Sequence, residues 1–447
     1  KTVAICTSGS RGDTQPYIAL ALELQKRGHT IRFGVEERMK PLVESFGLDY
    51  HKIAGDPTGL LWEKDAQIML RDGKIMQLLQ KVEEFNAKSY DQALLDYEAA
   101  CEGADIIVSG PLCMNQLASI AEKNKVPFTA LILGPTKSEA YPLTFLSSQT
   151  LGIRFLNKLS WSFVFMMMWR KEKQKINPWR VNHLKIPPLT TWSGLVTKFE
   201  EGFFPLILGI NRNIIPNSTV PKDYPPSYHI TGFLFVPSAD ENEIDNRIVE
   251  FIKDSELPII YLGFGSMPAP DPSVLVKRAV LVSEKINAKV ILCAGWSAIN
   301  SIVNPGPNNL VVSDDNEVTD DKITLPENLL LISSVPHDYL FPKCSAVVHH
   351  CGVGTSAATL RAGTPSVACP VMLDQPFNAS RLHQLGVAPP PIPFHELKSG
   401  NLIQALKMIL DTPKMKERAT AIAEEIAGQN GSESAADIIE NIKNPWK

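Results

Sequence analysis

Short apolar runs alternate with helix-like segments twice along this chain, and this alternation constrains the fold more than any other feature of the sequence. In the first series the predicted strands lie at residues 2–6, 30–35, 48–53, 104–108 and 128–133. In the second series they lie at residues 258–263, 289–293, 329–333, 346–349 and 366–369. Alternation of strands and helices is typical of a parallel sheet with helices on both faces. We therefore predict an α/β protein with two Rossmann-like domains.

The length of the chain agrees with two domains, because 447 residues exceed what one ordinary core accommodates. A proline-rich, acidic passage at residues 216–245 separates the two series and is typical of a linker. We place a first domain at residues 1–240 and a second at residues 241–430, and we expect a last helix within residues 431–447 to pack back on the first domain. Ligands of such sheets bind outside the carboxyl ends of the strands, so the two domains would face each other across a cleft.

Charge and cysteine content exclude several classes of protein. A net charge of −4 argues against a general nucleic-acid-binding protein, which would carry a basic excess. The seven cysteines form no CxxC pair, so neither a disulfide framework nor a zinc site is predicted, and a cytosolic location is expected. Because Lys1 leads directly into a strand-like run, we expect the chain to be part of a longer protein.

The strongest chemical signal is the stretch HHCGVGTS at residues 349–356, which joins a predicted strand to a helix. Gly352 and Gly354 allow a ligand to approach the backbone closely. The helix amino terminus, with its unpaired N–H groups and positive dipole, suits a diphosphate. Thr355 and Ser356 add hydroxyl donors, and His350 would donate to a phosphate oxygen or offset the charge of a leaving group. A glycine turn before a helix is common in α/β proteins, so this turn alone does not identify the ligand.

The residues that follow point to a sugar bound beside the diphosphate. The stretch RAGTP at residues 361–365 precedes the next predicted strand, and Asp374 and Gln375 follow that strand. An adjacent carboxylate and carboxamide accept from and donate to the hydroxyls of a hexose. The assembly resembles the nucleotide-sugar signature of the family 1 glycosyltransferases, and most closely the sterol and antibiotic branch with its HHxGxGT and RAGxP motifs. The resemblance implies a GT-B fold and a nucleotide-diphosphate sugar as the donor.

The resemblance also implies roles for individual residues of the donor site. The backbone of Val335 would contact the base, His350 and Thr355 the phosphates, and Asp374 and Gln375 the sugar. Two positions depart from the pattern of the plant members, which have a tryptophan for the base and a glutamate for the ribose. Here Ser334 and Ala358 stand at those positions, so base and ribose recognition is less defined than phosphate recognition.

One further donor contact is predicted at the end of the first strand of the second series. Residues 263–266 read GFGS, and the family places a loop at this position beneath the diphosphate. Ser266 is therefore a candidate phosphate contact, and the alternative is an ordinary tight turn between strand and helix.

A second candidate site lies at the amino end, where a strand runs into SGSRGDTQP at residues 8–16. The sterol and antibiotic branch opens with a GSRGDxxP turn, and plant relatives place a catalytic histidine at the corresponding position. Asp13 is therefore the predicted general base that takes the proton of the acceptor hydroxyl. Ser10 and Arg11 are predicted donor contacts, with a structural role as the alternative for Arg11.

The alternative role of Asp13 is to cap the helix that follows it, because aspartate is a preferred N-cap residue. In that arrangement Pro16 would occupy the third helical position and have no N–H to donate, so that only the amide of Gln15 would remain. Thr14 would cap the helix equally well.

Residues 145–169 interrupt the first series with an apolar, aromatic stretch that is too short and too polar to span a membrane. Two interpretations stay open: a buried helix whose basic end at residues 170–175 faces water, or a surface that contacts lipid. Phe145, Trp161 and Phe165 are the predicted acceptor contacts.

Within its branch the sequence is most similar to the fungal sterol 3-β-glucosyltransferases. This resemblance implies inverting transfer of glucose from UDP-glucose to the 3β-hydroxyl of an ergosterol-like sterol, by a cytoplasmic enzyme peripheral to membranes. It implies no metal or other cofactor. Three alternatives remain: a glycosyltransferase for another lipophilic small molecule, a nucleotide-sugar epimerase, and a non-catalytic module that binds lipid or nucleotide sugar. An epimerase would need acid/base groups on both faces of the sugar, whereas a binding module would need no base.

Overall fold

The computed structural model describes residues 1–56, 59–72, 74–144, 152–238, 244–265, 272–293, 303–305, 310–312 and 325–446. The chain folds into two compact units. The first consists of Lys1–Leu60, Gln80–Val236 and Gln429–Lys447, and the second of Leu61–Leu79 and Pro237–Gly428.

The first unit is built on a parallel sheet of seven strands. These are β1 (Thr2–Cys6), β2 (Thr30–Glu36), β3 (Asp49–Ile53), β4 (Ile106–Ser109), β5 (Phe128–Ile132), β6 (Leu206–Leu208) and β7 (Tyr228–Ile230), in the order β3-β2-β1-β4-β5-β6-β7. Strand β1 is an inner strand of the sheet, where Val3 pairs with Ile31 of β2 on one side and with Ile106 of β4 on the other. The inner strands β1, β4 and β5 are buried along nearly their whole length because helices cover both faces of the sheet.

Two strands of this sheet were not predicted. Strands β6 and β7 have three residues each, and β7 lies within the passage interpreted as a linker. Such short strands carry no periodicity of their own, and they form because β5 offers an unpaired edge on which β6, and then β7, can add.

The helices of the first half of the chain separate these strands. They are α1 (Arg11–Lys26), α2 (Lys40–Ser45), α3 (Lys64–Arg71), α4 (Ile75–Ala87), α5 (Tyr90–Ala100), α6 (Met114–Asn124), α7 (Arg154–Trp179) and α8 (Val196–Glu200). The last helix of the chain, α16 (Gly431–Glu440), packs on α1 in the first unit. The guanidinium of Arg27 lies 2.6 Å from Asp437 and 2.8 Å from Glu440, so this contact is partly electrostatic.

The second unit contains a parallel sheet of five strands and a separate antiparallel pair. The five are β8 (Ile259–Gly263), β9 (Lys289–Cys293), β12 (Leu329–Ile332), β13 (Ala346–His349) and β14 (Ser366–Ala368), in the order β12-β9-β8-β13-β14. The pair is β10 (Val303–Pro305) with β11 (Leu310–Val312). The helices are α9 (Asn246–Ile252), α10 (Pro272–Ile286), α11 (His337–Leu340), α12 (Val353–Ala362), α13 (Gln375–Gln384), α14 (Ser399–Leu410) and α15 (Pro413–Ala427).

Two apolar clusters cover the faces of this second sheet. Ile260 and Leu262 of β8 point into one cluster, and Tyr261 between them points into the other. Val348 and Val347 of β13 divide in the same way, as expected for a strand whose successive side chains alternate between faces. Both faces are therefore buried, and the predicted α/β fold with two parallel sheets is confirmed.

The segment Leu61–Leu79 leaves the first unit and packs with the second. Its buried residues Leu61, Ala66 and Leu78 form an apolar cluster with Met372, two residues before the predicted sugar-binding pair. A segment that is far away in sequence therefore packs beside the loop that carries Met372.

Candidate functional site

The turn that follows β13 is held in an uncommon backbone conformation. Cys351 has a φ of 64°, in the left-handed region that few residues other than glycine adopt. The imidazole Nδ1 of His349 accepts a hydrogen bond of 3.1 Å from the N–H of Cys351 and stabilises this conformation. The turn makes Gly352 the N-cap of α12, the helix start at which the diphosphate is predicted to bind.

The His350 ring lies between two glycines. A Cβ atom on Gly352 would come within 2.6 Å of its Nε2, and a Cβ atom on Gly265 within 2.9 Å of its Cε1. Gly265 also has a φ of 61°, so two independent reasons require glycine there. The sequence interpretation named Ser266 in this loop, but Ser266 lies outside the described residues, and Gly265 is the residue that contacts His350.

Burial determines the charge of His350. It lowers the pKa of the imidazole to about 4, so the ring is neutral near pH 7. Its Nδ1 is buried and has no hydrogen-bond partner among the described residues. Of the two predicted roles, hydrogen bonding to a phosphate oxygen therefore suits the ligand-free ring, whereas offsetting charge as a cation would require a ligand to raise the pKa.

The first turn of α12 contains the other predicted phosphate contacts. Gly354 and Thr355 are half-buried there, and their N–H groups belong to the first four, which lack partners within a helix. Ser356 is buried, and its hydroxyl has no partner among the described residues. Val335 follows β12 and packs its side chain against the apolar cluster on one face of the sheet, so the predicted base contact would have to come from its backbone.

The predicted sugar-binding pair is connected to this turn by a residue that the sequence interpretation missed. Asp374 Oδ2 accepts a hydrogen bond of 2.9 Å from the amide of Asn378, which also donates to the carbonyl of Cys351 at 3.0 Å. Asn378 is buried, and its position four residues after Asp374 on α13 was the only sequence signal for this link. The structure thus brings the turn after β13 and Asp374 together.

The side chain of Gln375 is hydrogen-bonded to the backbone of the loop that precedes it. Its Oε1 accepts hydrogen bonds from the N–H groups of Val371 at 2.8 Å and Met372 at 3.1 Å. Leu373, between this loop and Asp374, has a φ of 57°. The side-chain oxygen of Gln375 therefore stabilises the loop, and its amide N–H groups are what it can offer to a sugar hydroxyl.

In the first unit, the helix after β1 begins earlier than the capping alternative for Asp13 assumed. Its N-cap is Ser10, so Arg11 is the first helical residue and Asp13 the third. Neither Asp13 nor Thr14 is the N-cap residue. Asp13 still supports the helix start, because its Oδ2 accepts hydrogen bonds of 2.8 Å from both the N–H and the hydroxyl of Ser10.

The carboxylate of Asp13 lies directly against Gly9. Gly9 has a φ of 133°, and a Cβ atom there would come within 2.6 Å of Asp13 Oδ2. Burial raises the pKa of Asp13, while its bonds from Ser10 act in the opposite direction. Ser10, predicted as a donor contact, thus has its hydroxyl engaged by Asp13, and Arg11 is exposed at the helix start.

A second carboxylate, which the sequence interpretation missed, supports the same turn. Glu36 ends β2, is only 4% exposed, and accepts hydrogen bonds from the hydroxyl of Ser8 and, at 3.4 Å, from the N–H of Gly9. Burial raises the pKa of Glu36 to about 7. The signal for it was a lone acidic residue at the end of an apolar strand next to β1.

The predicted acceptor residues have different environments. Trp161 is 4% exposed, and its indole N–H donates to the carbonyl of Tyr141 at 3.0 Å, so it packs within the first unit. Phe165 is partly buried with its ring centroid 5.7 Å from that of Trp161. Phe145 lies outside the described residues. Within the part of the chain that the structure describes, no group of three or more metal-binding side chains is close enough to hold an ion.

Two family models match the chain, one in each half. The model described as glycosyltransferase family 28 N-terminal domain matches residues 3–141. The model described as erythromycin biosynthesis protein CIII-like, C-terminal domain, matches residues 305–442.

Relatives match along nearly the whole chain. The sterol 3-beta-glucosyltransferases of Debaryomyces hansenii and Candida albicans are both 30% identical to it, over 97% and 98% of its length. The chain spans about a quarter of these fungal proteins, 26% and 27%. The sterol 3-beta-glucosyltransferase UGT80A2 of Arabidopsis thaliana is 28% identical over 95% of this chain and 62% of its own.

Solved structures share the fold at low sequence identity. The glycosyltransferase of kitacinnamycin has a TM-score of 0.68 at 17% identity and covers 98% of both chains. The calicheamicin glycosyltransferase CalG4 has a TM-score of 0.65 at 15% identity, over 98% of this chain and 97% of its own. The glycosyltransferase VinC, solved in complex with dTDP, has a TM-score of 0.61 at 17% identity, over 98% and 99%. Together, these comparisons show that the chain has the GT-B fold of the solved glycosyltransferases and that it is similar along nearly its whole length to sterol 3-beta-glucosyltransferases.

Proposed function

We propose that this chain catalyses inverting transfer of glucose from UDP-glucose to the 3β-hydroxyl of a membrane sterol. One observation carries the proposal: the buried amide of Asn378 donates both to the carbonyl of Cys351, in the turn that contains His350, and to the carboxylate of Asp374. The similarity to sterol 3-beta-glucosyltransferases supports glucose and a sterol as the substrates.

In the proposed reaction the diphosphate lies at the amino terminus of α12. The backbone N–H groups there, the hydroxyls of Thr355 and Ser356, and the neutral ring of His350 would bind its oxygens. As the bond between the anomeric carbon and the diphosphate oxygen breaks, the same groups would stabilise the developing charge on UDP. The proposal requires no metal ion or other cofactor for this step.

The acceptor oxygen forms its bond to the anomeric carbon from the opposite face, so the product has inverted configuration. Asp13 would accept the proton that the hydroxyl loses. Both hydrogen bonds that Ser10 donates to Asp13 end on Oδ2. Oδ1 is therefore the oxygen proposed to take the proton, while Oδ2 keeps the carboxylate oriented. A raised pKa increases the basicity of this carboxylate.

The sterol and its location belong to the same proposal. A sterol is held in a bilayer, so the enzyme would work as a cytoplasmic protein at a membrane surface. Within the described residues, no helix has both the length and the apolar character that crossing a bilayer requires.

A second acceptor class is a lipophilic small molecule other than a sterol. The solved structures with the same fold include the glycosyltransferase of kitacinnamycin and the calicheamicin glycosyltransferase, and VinC was solved with dTDP. Transfer from UDP-glucose compared with TDP-glucose, each with ergosterol and with a soluble polyketide aglycone, distinguishes the two classes.

The test of the proposed function follows radiolabelled glucose from UDP-glucose to ergosterol, with wild type, Asp13→Asn and Asp13→Ala side by side. We expect wild type to form a steryl glucoside and both variants to bind the donor without turnover. Asparagine keeps an oxygen that can accept from Ser10, so a role in capping alone would leave Asp13→Asn active. Donor binding without transfer to any sterol would overturn the acceptor assignment, and full activity of Asp13→Asn would overturn the base assignment.

A further inference from the structure

Helix α7 exposes large apolar side chains along one side. Phe155 is 69% exposed and Phe163 is 56% exposed, values that are uncommon for phenylalanine in a folded unit. Other exposed apolar residues of this helix are Leu156, Leu159, Met166, Met167 and Met168. Exposed apolar residues scattered singly need no explanation, whereas a contiguous group of this kind marks an interaction surface.

Helical geometry places most of these side chains on a single face. At about 100° per residue, Phe155, Leu156, Leu159, Phe163, Met166 and Met167 fall within an arc of about 120°. We call these six residues the apolar face of α7. The face extends over residues 155–167, which corresponds to about 18 Å of helix.

The other side of α7 accounts for how the helix is held. Trp161, Trp169 and Ile176 are buried there. The two indole N–H groups donate to the carbonyls of Tyr141 at 3.0 Å and Thr191 at 2.9 Å. The helix is therefore fixed to the first unit by its tryptophan side, and no described residue of the chain covers the apolar face.

Basic residues continue the apolar face at its carboxyl end. Arg170 and Lys173 are exposed and, by the same helical spacing, lie on the same side as the six apolar residues. No acidic side chain among the described residues pairs with either of them. By contrast, Lys171 is paired with Glu83 at 2.7 Å, so Arg170 and Lys173 contribute the uncompensated positive charge.

We propose that the apolar face of α7, with Arg170 and Lys173, docks on the surface of a membrane that contains anionic lipids. An apolar helix face with neighbouring uncompensated cations is the pattern of a helix that lies in the bilayer interface, with its aromatic residues among the acyl chains. Arg170 and Lys173 favour a membrane as the binding partner of this face, because they attract a negatively charged lipid surface and would repel a basic protein. This inference rests on the proposed function only for the acceptor: it names the surface through which a membrane sterol would be reached.

The experiment measures sedimentation of the purified chain with vesicles of phosphatidylcholine and phosphatidylserine, and with vesicles of phosphatidylcholine alone. The test variant is Phe155→Ser combined with Phe163→Ser, and the charge variant is Arg170→Gln combined with Lys173→Gln. Leu112→Ser and Lys88→Gln are the matched controls, because both residues are exposed outside α7. Circular dichroism of each variant verifies its fold, and sedimentation velocity gives its oligomeric state.

We expect wild type to prefer the anionic vesicles, and the Phe155→Ser, Phe163→Ser variant to lose at least about tenfold in partitioning. The charge variant would lose the preference for phosphatidylserine, and both controls would bind as wild type does. Equal binding by wild type and the phenylalanine variant would overturn the proposal. So would a wild-type dimer that the phenylalanine variant dissociates, because a second copy would then cover the face. No donor sugar is present, so this test can fail independently of the sterol assignment.

Discussion

The turn after β1 in the first unit and the turn after β13 in the second both lead from a parallel strand into a helix, but they hold their polar groups differently. After β13, the position of the polar side chain depends mainly on backbone geometry, because Gly265 and Gly352 leave just enough space for the ring of His350. After β1, the turn is held by two carboxylates, because Asp13 accepts a hydrogen bond from Ser10 and Glu36 accepts one from Gly9.

This difference gives the two turns different sensitivities to pH. Burial leaves His350 neutral over the whole physiological range, since its pKa falls to about 4. Burial raises the pKa of Glu36 to about 7, so the turn that holds Asp13 changes charge within that range. The turn after β13 is therefore expected to be insensitive to pH near neutrality, whereas the turn after β1 is expected to be sensitive.

The largest expected effect tests the chemical role of the first turn. Asp13→Asn should lower kcat by about 10²–10⁴-fold, the usual contribution of a general base, with little change in UDP-glucose affinity. Initial rates and calorimetric titration of the donor measure the two quantities. A parallel loss of donor affinity would mean that Asp13 also takes part in donor binding, contrary to the proposal.

The next effect tests the backbone control of the second turn. In Gly352→Ala the added methyl group would meet His350 Nε2 at 2.6 Å, so the ring must move and donor affinity should fall by tenfold or more. The matched control is Gly400→Ala, where an added Cβ atom meets nothing within 4 Å. Titration with UDP-glucose gives both affinities. Unchanged binding by Gly352→Ala would remove His350 from the donor site.

Glu36→Gln tests whether the turn after β1 is sensitive to pH, with the free energy of unfolding as the measured quantity. The pKa of Glu36 is about 7 in the folded chain against an ordinary 4.5, so the folded state binds the proton more tightly. Wild type should therefore lose stability as the pH rises from about 4.5 to about 7, by up to about 3 kcal/mol, and Glu36→Gln should lack this loss. Urea unfolding across that range measures the difference.

The control for this experiment is the neighbouring residue. Glu37 is exposed, and hydrogen bonding to Lys52 lowers its pKa, so Glu37→Gln should show the same loss of stability between about pH 4.5 and pH 7 as wild type. If the unfolding free energies of wild type and Glu36→Gln changed with pH in parallel, Glu36 would titrate normally. The turn after β1 would then be no more sensitive to pH than the turn after β13.

The smallest effect concerns the link inside the second unit. Asn378→Ala removes both hydrogen bonds of the side-chain amide and leaves the carbonyl of Cys351 and Oδ2 of Asp374 without that donor. A loss of about 1–3 kcal/mol in unfolding free energy is expected, together with a raised KM for UDP-glucose. Asn441→Ala, at an exposed helix end, is the control. An unchanged KM would make the link structural only.

Much of the fold was open to prediction because its signals are local. Apolar runs of strand length, alternating with helical segments, predicted two parallel sheets, and both were found. The glycine turn at residues 349–356 predicted a helix start, and α12 begins at Val353. Strands β6 and β7 were missed because three residues carry too little pattern to be distinguished from a loop.

The site residues were predictable where they belong to motifs of residues that are adjacent in sequence. His350 and Asp374 stand in recognisable motifs, whereas Glu36 and Asn378 act on residues that are distant in sequence. Glu36 reaches Gly9 because β2 lies beside β1, and Asn378 reaches Cys351 because α13 returns to the turn after β13. No local pattern encodes contacts of that kind.

The sequence by itself determined the two strand-and-helix series, the glycine positions and the order of the motifs, because these depend on backbone sterics and on periodicity along the chain. Only the tertiary structure decided which side of α7 is buried. Trp161 was predicted to meet the acceptor, but it packs inside, while Phe163 two residues later is exposed. Burial depends on what the rest of the chain places against each face, and the residue type alone cannot specify this.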